Sequence, residues 1–272
     1  MRLARKQRSE VDEYRHRRIH AAERLLYGLP VVADRLQLTH CSIIRSKGLL
    51  GHRSFYAEAV MYIPRQFALS DEETEAALAQ AGFGQLVTHA SSGFIVTPLP
   101  LLYDQAQHSL IGHVSRANPH WHADGRESVA IFPGPQAYIS PGFYATKAET
   151  GKVVPTWNYE VLNVYGRLVA HDDADWVLNL VTTLTNRHEQ RRAEPWQVTD
   201  APESYTRAQL RAIVGVELVI SKVEGKAKMS QNQPERNRTG VVAGLKASVT
   251  AHDQLVADRV DALGSTNANG RG

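Results

Sequence analysis

The sequence predicts a mainly β protein: an antiparallel barrel with helices added at the start of the folded region and toward its C-terminus. Three observations point there. From Met61 onward, short apolar runs follow one another with brief polar turns between them, as successive antiparallel strands do. Helical periodicity opens this region and returns only late in it, so no βαβ alternation develops. No G-x-G-x-x-G follows a strand, which removes the Rossmann arrangement.

The elements follow in order. Ser70 and Glu73 have capping-box spacing ahead of an Ala/Leu-rich stretch that stops at Gly82, which predicts a helix over 70–81. Segments 85–89, 94–103 and 109–114 read as strands, and 115–122 as a short helix. Pro98 and Pro100 lie inside the second run, so it cannot be a fully paired central strand. Strands are expected over 127–132 and 136–140, a polar, mobile loop over 146–152, and a long strand over 156–170 that is weakened at Gly166. Trp176, Val177, Leu180, Val181 and Leu184 share one helical face within 173–190. A shorter helix over 205–213, a strand over 214–223, a last helix over 248–263 and a disordered tail over 264–272 complete the series.

Residues 1–60 have another texture. They hold 12 of the 31 Lys/Arg and 6 of the 28 Asp/Glu, a balance of +6, so the remainder carries 19 against 22, or −3. The overall +3 therefore comes from the leader. A nucleic-acid reader places its basic footprint on the folded domain, and this body does not. The leader reads as poorly ordered, with a basic amphipathic helix at best over 10–27. Translation beginning at Met61 and a basic arm touching nucleic acid are the other readings. Cys41 is the one cysteine, which excludes an intrachain disulfide and a thiolate metal cluster and fits a reducing compartment. No apolar run approaches the roughly 20 residues that cross a bilayer, and no signal peptide is read. No membrane association and a cytoplasmic location are expected.

Two strings carry the chemistry. Gly225-Lys-Ala-Lys-Met-Ser-Gln-Asn232 gathers ammonium, hydroxyl and amide donors suited to a phosphate-bearing ligand. Val154-Pro-Thr-Trp-Asn-Tyr159 sets a Trp beside an Asn at a strand start, a pair able to hold a flat ring and read its polar edge. In Gly112-His-Val-Ser-Arg-Ala-Asn-Pro119, Ser115, Arg116 and Asn118 follow His113 at a strand-to-helix turn, an anion site or a plain Ser cap with a solvated Arg. Thr97-Pro-Leu-Pro100 offers free backbone groups to a ligand, or is an edge blunted against aggregation. His120 and His122 invite a metal, without the carboxylates or second His pair that would complete one. Tyr138 and Phe143 either plug the barrel mouth or stack on a ring. Hydrolase and Walker motifs are missing, so any catalysis needs a cofactor.

Together these strings resemble the PaiB family of FMN-binding negative transcriptional regulators. The resemblance begins at Met61, also takes in Gly134-Pro-Gln-Ala-Tyr-Ile-Ser-Pro141 and Ile213-Val-Gly215, and ends at Asn232. It implies an FMN-binding split β-barrel similar to pyridoxamine phosphate oxidases, in a homodimer with FMN between the subunits. By motif, Ser115, Arg116 and Asn118 would cradle the FMN phosphate. Thr97, Pro98 and Leu99 would run beside the isoalloxazine, with His113 near it. Trp157 and Asn158 would face the cofactor, and Lys228, Ser230 and Gln231 would close the site from the same chain or its partner. A negative transcriptional regulator or flavin/redox sensor is the first functional reading, and any DNA association would be indirect or weak, since no basic recognition helix is visible. A flavin-dependent oxidoreductase is the alternative. A haem-binding split barrel with His89 or His113 as axial ligand is the third.

Overall fold

The computed structural model describes residues 61–91 and 93–269, with side chains as far as Gly264. The leader, its segment 10–27, Cys41 and residues 270–272 lie outside the described residues. Seven strands, β1 (Phe83–Ala90), β2 (Gly93–Pro100), β3 (Leu102–Asp104), β4 (Ser109–Ser115), β5 (Glu127–Ile139), β6 (Thr156–His171) and β7 (Ile213–Lys228), form one sheet in the order β2-β1-β5-β6-β7-β4-β3. Every pairing is antiparallel.

That order dictates the shape. β2 and β3 are the opposite edges of the sheet, yet only Leu101 separates them in the chain. Laid flat, a sheet of this width would hold its edge strands roughly 29 Å apart, whereas one intervening residue spans about 7 Å. The sheet must roll until its edges meet. At the meeting line Leu101 donates its N–H to the Gly82 carbonyl at 2.7 Å, and Gly112 of β4 lies against the Pro100 carbonyl. Pro98 and Pro100 carry no N–H, so the edge of β2 has no donors there with which to zip onto β4. Covalent connection closes the barrel and the hydrogen-bond ladder leaves it split.

The alternation of the strands fills the interior. Leu86, Leu99, Leu110, Val114, Ala130, Leu162, Val164, Leu168, Val216 and Leu218 form the buried core, plugged by Leu78 of α1 (Asp71–Ala79). Ser70 accepts from the Glu73 N–H while Glu73 reaches back to the Ser70 N–H, which starts that helix. Three further helices precede the long strand β7: α2 (Thr146–Thr150), α3 (Ala174–Glu189), which is capped by Asp173, and α4 (Glu203–Leu210). Leu180 and Leu184 of α3 pack on Leu102 and Ile111, outside β3 and β4. The far ends of β5 and β7 build a second core. There Ala137, Ile139, Ala227 and Met229 meet Val241 and Leu245 of α5 (Glu235–Lys246) and Val256 and Val260 of α6 (Ala251–Asn269). Among the described residues no helix is long and apolar enough to cross a membrane.

The architecture is the expected one, a mainly antiparallel rolled sheet with helices, and the local departures have physical causes. The expected run 94–103 breaks at Leu101, where the chain changes edges. The strands expected over 127–132 and 136–140 are one strand, β5, with a register shift between Pro133 and Gln136 that absorbs the Pro and Gly. Gly166 marks a second shift, between β6 and β7, and a Cβ there would lie 2.2 Å from the Val219 carbonyl oxygen. Residues 146–152 hold the helix α2 in place of a loop, and 115–122 yields only a 3-10 turn at Pro119–Ala123. β7 runs through Gly225 to Lys228, so the start of the Lys-rich string is strand. Helix α5 had no counterpart in the sequence reading, and α6 continues to Asn269.

If the seam is as close as this, Gly112→Ala forces a Cβ to 2.7 Å from a backbone oxygen. The expected loss is about 1–3 kcal/mol, measured by chemical denaturation. An unchanged midpoint would mean that the edges are not in contact.

Candidate functional site

The split between β2 and β4 is bridged by side chains. His120 follows β4 in the 3-10 turn and is wholly buried. Its Nδ1 lies 2.8 Å from Thr97 Oγ1 on β2 and its Nε2 lies 2.8 Å from Thr88 Oγ1 on β1. Asn118 Nδ2 donates to Thr97 Oγ1 at 3.2 Å, and Thr88 Oγ1 lies 2.6 Å from Ser128 Oγ, which donates to the Arg126 carbonyl. The acceptor end fixes the polarity of the chain. The Arg126 carbonyl only accepts, so Ser128 donates to it and takes its own hydrogen bond from Thr88. Thr88 then has no hydrogen left for the ring, and Nε2–H donates to Thr88. In the neutral ring that burial favours, Nδ1 accepts from Thr97. Burial pushes the His120 pKa down.

The turn beside this network carries Ser115, Arg116 and Asn118, the residues expected to bind an anion. Ala117 N–H donates to Ser115 Oγ at 3.3 Å, and Asn118 Oδ1 caps the 3-10 turn by accepting from His120 N–H. Arg116 is held firmly. Its Nε donates to the Arg211 carbonyl at 2.8 Å, Nη2 to the Ile213 carbonyl at 3.2 Å, and both Nη atoms to the Asp172 carboxylate. That hydrogen-bonded pairing lifts the Arg116 pKa and lowers that of Asp172. The pair sits at the surface, with side chains 39% and 57% exposed.

A second group gathers where β6 begins and β7 ends. Trp157 is 54% exposed and meets Tyr138, across on β5, edge to face at 6.1 Å. Lys228 Nζ donates to the Trp157 carbonyl at 2.8 Å and to Thr156 Oγ1, which leaves one N–H unassigned. Burial pushes the Lys228 pKa down, Tyr159 acts against that, and neighbouring Lys226 adds to it. Asn158 points the other way from Trp157, as consecutive strand residues do. It is 1% exposed and its Nδ2 donates to Ser230 Oγ at 2.9 Å. Ser230 is buried at φ +63°, a conformation rare outside glycine, kept where its hydroxyl meets Asn158. Gln231 closes the turn on itself, donating to the Ala227 carbonyl and accepting from Met229 N–H.

The expected residues thus form two groups. Thr97, Ser115, Arg116 and Asn118 sit at the seam. Trp157, Asn158, Lys228, Ser230 and Gln231 sit at the opposite end of β6 and β7. Ser115 is opposite Ile213 and Tyr159 is opposite Lys228, so roughly 50 Å of extended β7 lies between the groups. Pro98 is exposed on the outer face of β2, and Leu99 is core. His113 alternates with inward-facing Gly112 and Val114, on the same outer face as Ile111; its Nδ1 is buried without a partner among the described residues, and burial lowers its pKa. His89 is exposed, its ring 5.1 Å from that of Phe94.

Thr88, Ser128 and Asp172 escaped the sequence reading. A Thr in the inward register of β1, in line with Gly84 and Leu86, was the available signal for the network. Asp172 pairs with Arg116 across a separation no local pattern reveals. His120 and His122, read for a metal, differ in place: His120 holds the network, while the His122 ring lies tilted against that of Trp121, with centroids 3.7 Å apart.

The chain matches, over residues 61–222, the family model described as "Putative FMN-binding domain". It is 27% identical over 206 residues to the Bacillus subtilis protein named "Protease synthase and sporulation protein PAI 2", covering 74% of this chain and 97% of that one. It is 35% identical over 145 residues to an uncharacterized Emericella nidulans protein, 49% of this chain and 58% of that one. The chain spans little more than half the length of the first curated relatives it matches. Among solved structures, the FAD and heme binding protein from Mycobacterium smegmatis is similar at a TM-score of 0.46 and 15% identity, over 60% of this chain and 74% of that one.

The seam network gives a stability prediction. His120→Ala empties a buried site and strands two hydroxyls, an expected cost of about 2–4 kcal/mol by denaturant titration. The pH dependence has a sign as well. The unfolded chain takes up protons on its His residues below about pH 6.5, whereas folded His120 and His113 resist them. Stability is therefore full above that pH and declines as the pH falls toward the lowered folded-state values. His120→Gln should flatten part of that decline and leave the part due to His113. An unchanged slope would show that His120 is not held neutral.

Proposed function

The chain belongs to this FMN-binding-domain family, and from that membership we propose that two copies of it hold FMN between them, in a protein that works as a flavin-bound regulator or redox sensor. The observation that carries the proposal is the separation of the two donor groups. One offers Ser115, Arg116 and Asn118 for a phosphate. The other offers the Trp157–Tyr138 pair for a flat ring and the remaining Lys228 N–H for its polar edge. This donor set fits a phosphate-bearing aromatic ligand, and within one chain the two groups sit at opposite ends of the long strand β7. Two chains placed head to tail bring one group of each together.

An exposed apolar face supports the pairing. Phe83 (71% exposed), Phe94 (74%) and Val96 (53%) alternate with inward residues on β1 and β2, beside exposed Pro98. A patch of that kind on a sheet face marks a contact surface, and a second copy is the occupant that also completes the ligand site. Bound there, FMN would supply reversible electron transfer. The chain's own residues bind and orient it. His120 and Lys228 are committed to hydrogen bonds inside the fold, which favours sensing over rapid turnover. The name of the B. subtilis relative, which refers to protease synthesis and sporulation, favours regulation as well.

An absorbance scan of the purified full chain with added FMN tests the reading, and bound-flavin bands near about 370 and 450 nm are expected. Arg116→Ala should weaken binding by about ten- to a hundredfold, the scale of a hydrogen bond to a charged group. Trp157→Ala should also weaken it. Refolding the two variants together should restore one intact site per mixed dimer, since that site takes Arg116 from one copy and Trp157 from the other. No recovery would place both groups of a site on one chain. Steady NAD(P)H consumption by the flavin-loaded protein would replace the sensor with an oxidoreductase.

A further inference from the structure

We propose that Asp172 sets how tightly this chain holds a flavin phosphate, by occupying the Arg116 fork in the ligand's place. The inference rests on the flavin reading above and deepens it. A carboxylate and a phosphate present the same paired oxygens to a guanidinium, and Asp172 engages both Nη atoms of Arg116 in that way. A phosphate reaching the fork must first displace it.

Three features make Asp172 a competitor and not a support. The fork keeps its aim without it, because Nε and the second Nη2 hydrogen are anchored on the Arg211 and Ile213 carbonyls. Among the described residues Asp172 makes no second hydrogen bond or ion pair that would hold it in place: the neighbouring Asp173 caps α3, accepting from Trp176 N–H at 2.8 Å. Its side chain is 57% exposed, free to swing into water, and an exposed pair of this kind is easily exchanged for another anion. The cost to the ligand is electrostatic. With Asp172 in place the fork is neutral, so a phosphate gains from Arg116 only what it wins from the carboxylate. A flavin without a phosphate never meets this contest. Asp172 therefore lowers the affinity for the phosphorylated flavin alone and narrows its preference over the unphosphorylated one.

The experiment compares FMN and riboflavin binding, by flavin fluorescence, to the full-length wild type, Asp172→Asn and Arg116→Ala. Asp172→Ala serves as a second variant if Asp172→Asn does not fold. Asp172→Asn is expected to tighten FMN roughly three- to tenfold and to leave riboflavin unchanged. Its FMN affinity should also fall more steeply with salt, because the unpaired fork meets the phosphate at full charge. Weaker FMN binding by Asp172→Asn would overturn the proposal by making Asp172 a support for Arg116, and an equal shift for both flavins would overturn it too. Wild type that binds both flavins, with Arg116→Ala unaffected, would place the phosphate elsewhere and sink the proposal while leaving the flavin site standing. Wild type that binds neither flavin would remove the functional reading itself.

Discussion

The one-residue step at Leu101, from one edge of the sheet to the other, is the constraint on which the rest of this structure depends. It makes the sheet roll, and the two prolines before it leave the closing edges without a ladder. A barrel closed in that way still needs something at the seam. The side chains supply it: Thr97 and Thr88 reach a histidine carried on the turn after β4, and the Asn118 amide joins at one end. Because Asn118 belongs to that network, the turn carrying Ser115 and Arg116 is positioned by the same bonds that hold the barrel edges together. Fold and candidate phosphate loop are coupled at His120.

The long strands have the opposite effect, separating what the sequence places in one list of donors. β6 and β7 run beyond the barrel and carry the second core at their far end. Trp157 and Lys228 therefore sit on a different body of packing from Arg116. A site needing both must borrow one from another chain, and the apolar outer face of β1 and β2 is the surface on which such a chain would be seated.

Much of this was legible from residue order. The capping box at Ser70, the strand series, the helix starting after Asp173 and the edge character of Thr97-Pro-Leu-Pro100 all rest on local rules, and local rules suffice for them. The break at Leu101 was not legible, since a run of apolar residues looks the same whether or not it changes edges. Helix α5 was hidden by its composition: it buries Asn237 beside Val241 and Leu245 and carries two glycines, Gly240 and Gly244, that lie against Phe143. In the candidate site, the donors could be named from the sequence but not their commitments. Ser230 and Gln231 look like ligand groups in a string, and the structure spends both on closing the turn after β7. Asn158 looked like a partner to Trp157, and strand alternation sends it into the second core.

Arg116 and Lys228 differ in the ligand group that each would suit. Arg116 lies at the surface and is paired with Asp172, which suits it to exchanging one anion for another. Among the described residues Lys228 donates only to neutral oxygens; burial and Lys226 press against its charge and Tyr159 supports it. An ammonium in that position gains most from an electron-rich atom that brings partial negative charge without a large hydration shell to strip away. A fully charged phosphate suits the exposed fork, where water remains to share it. The carbonyl edge of a flat ring, stacked against Trp157, suits the half-buried lysine. On the proposed reading, strand length separates the two groups along β7, and their electrostatics would assign the ligand's ends, phosphate to the seam of one chain and ring to the far strand end of the other.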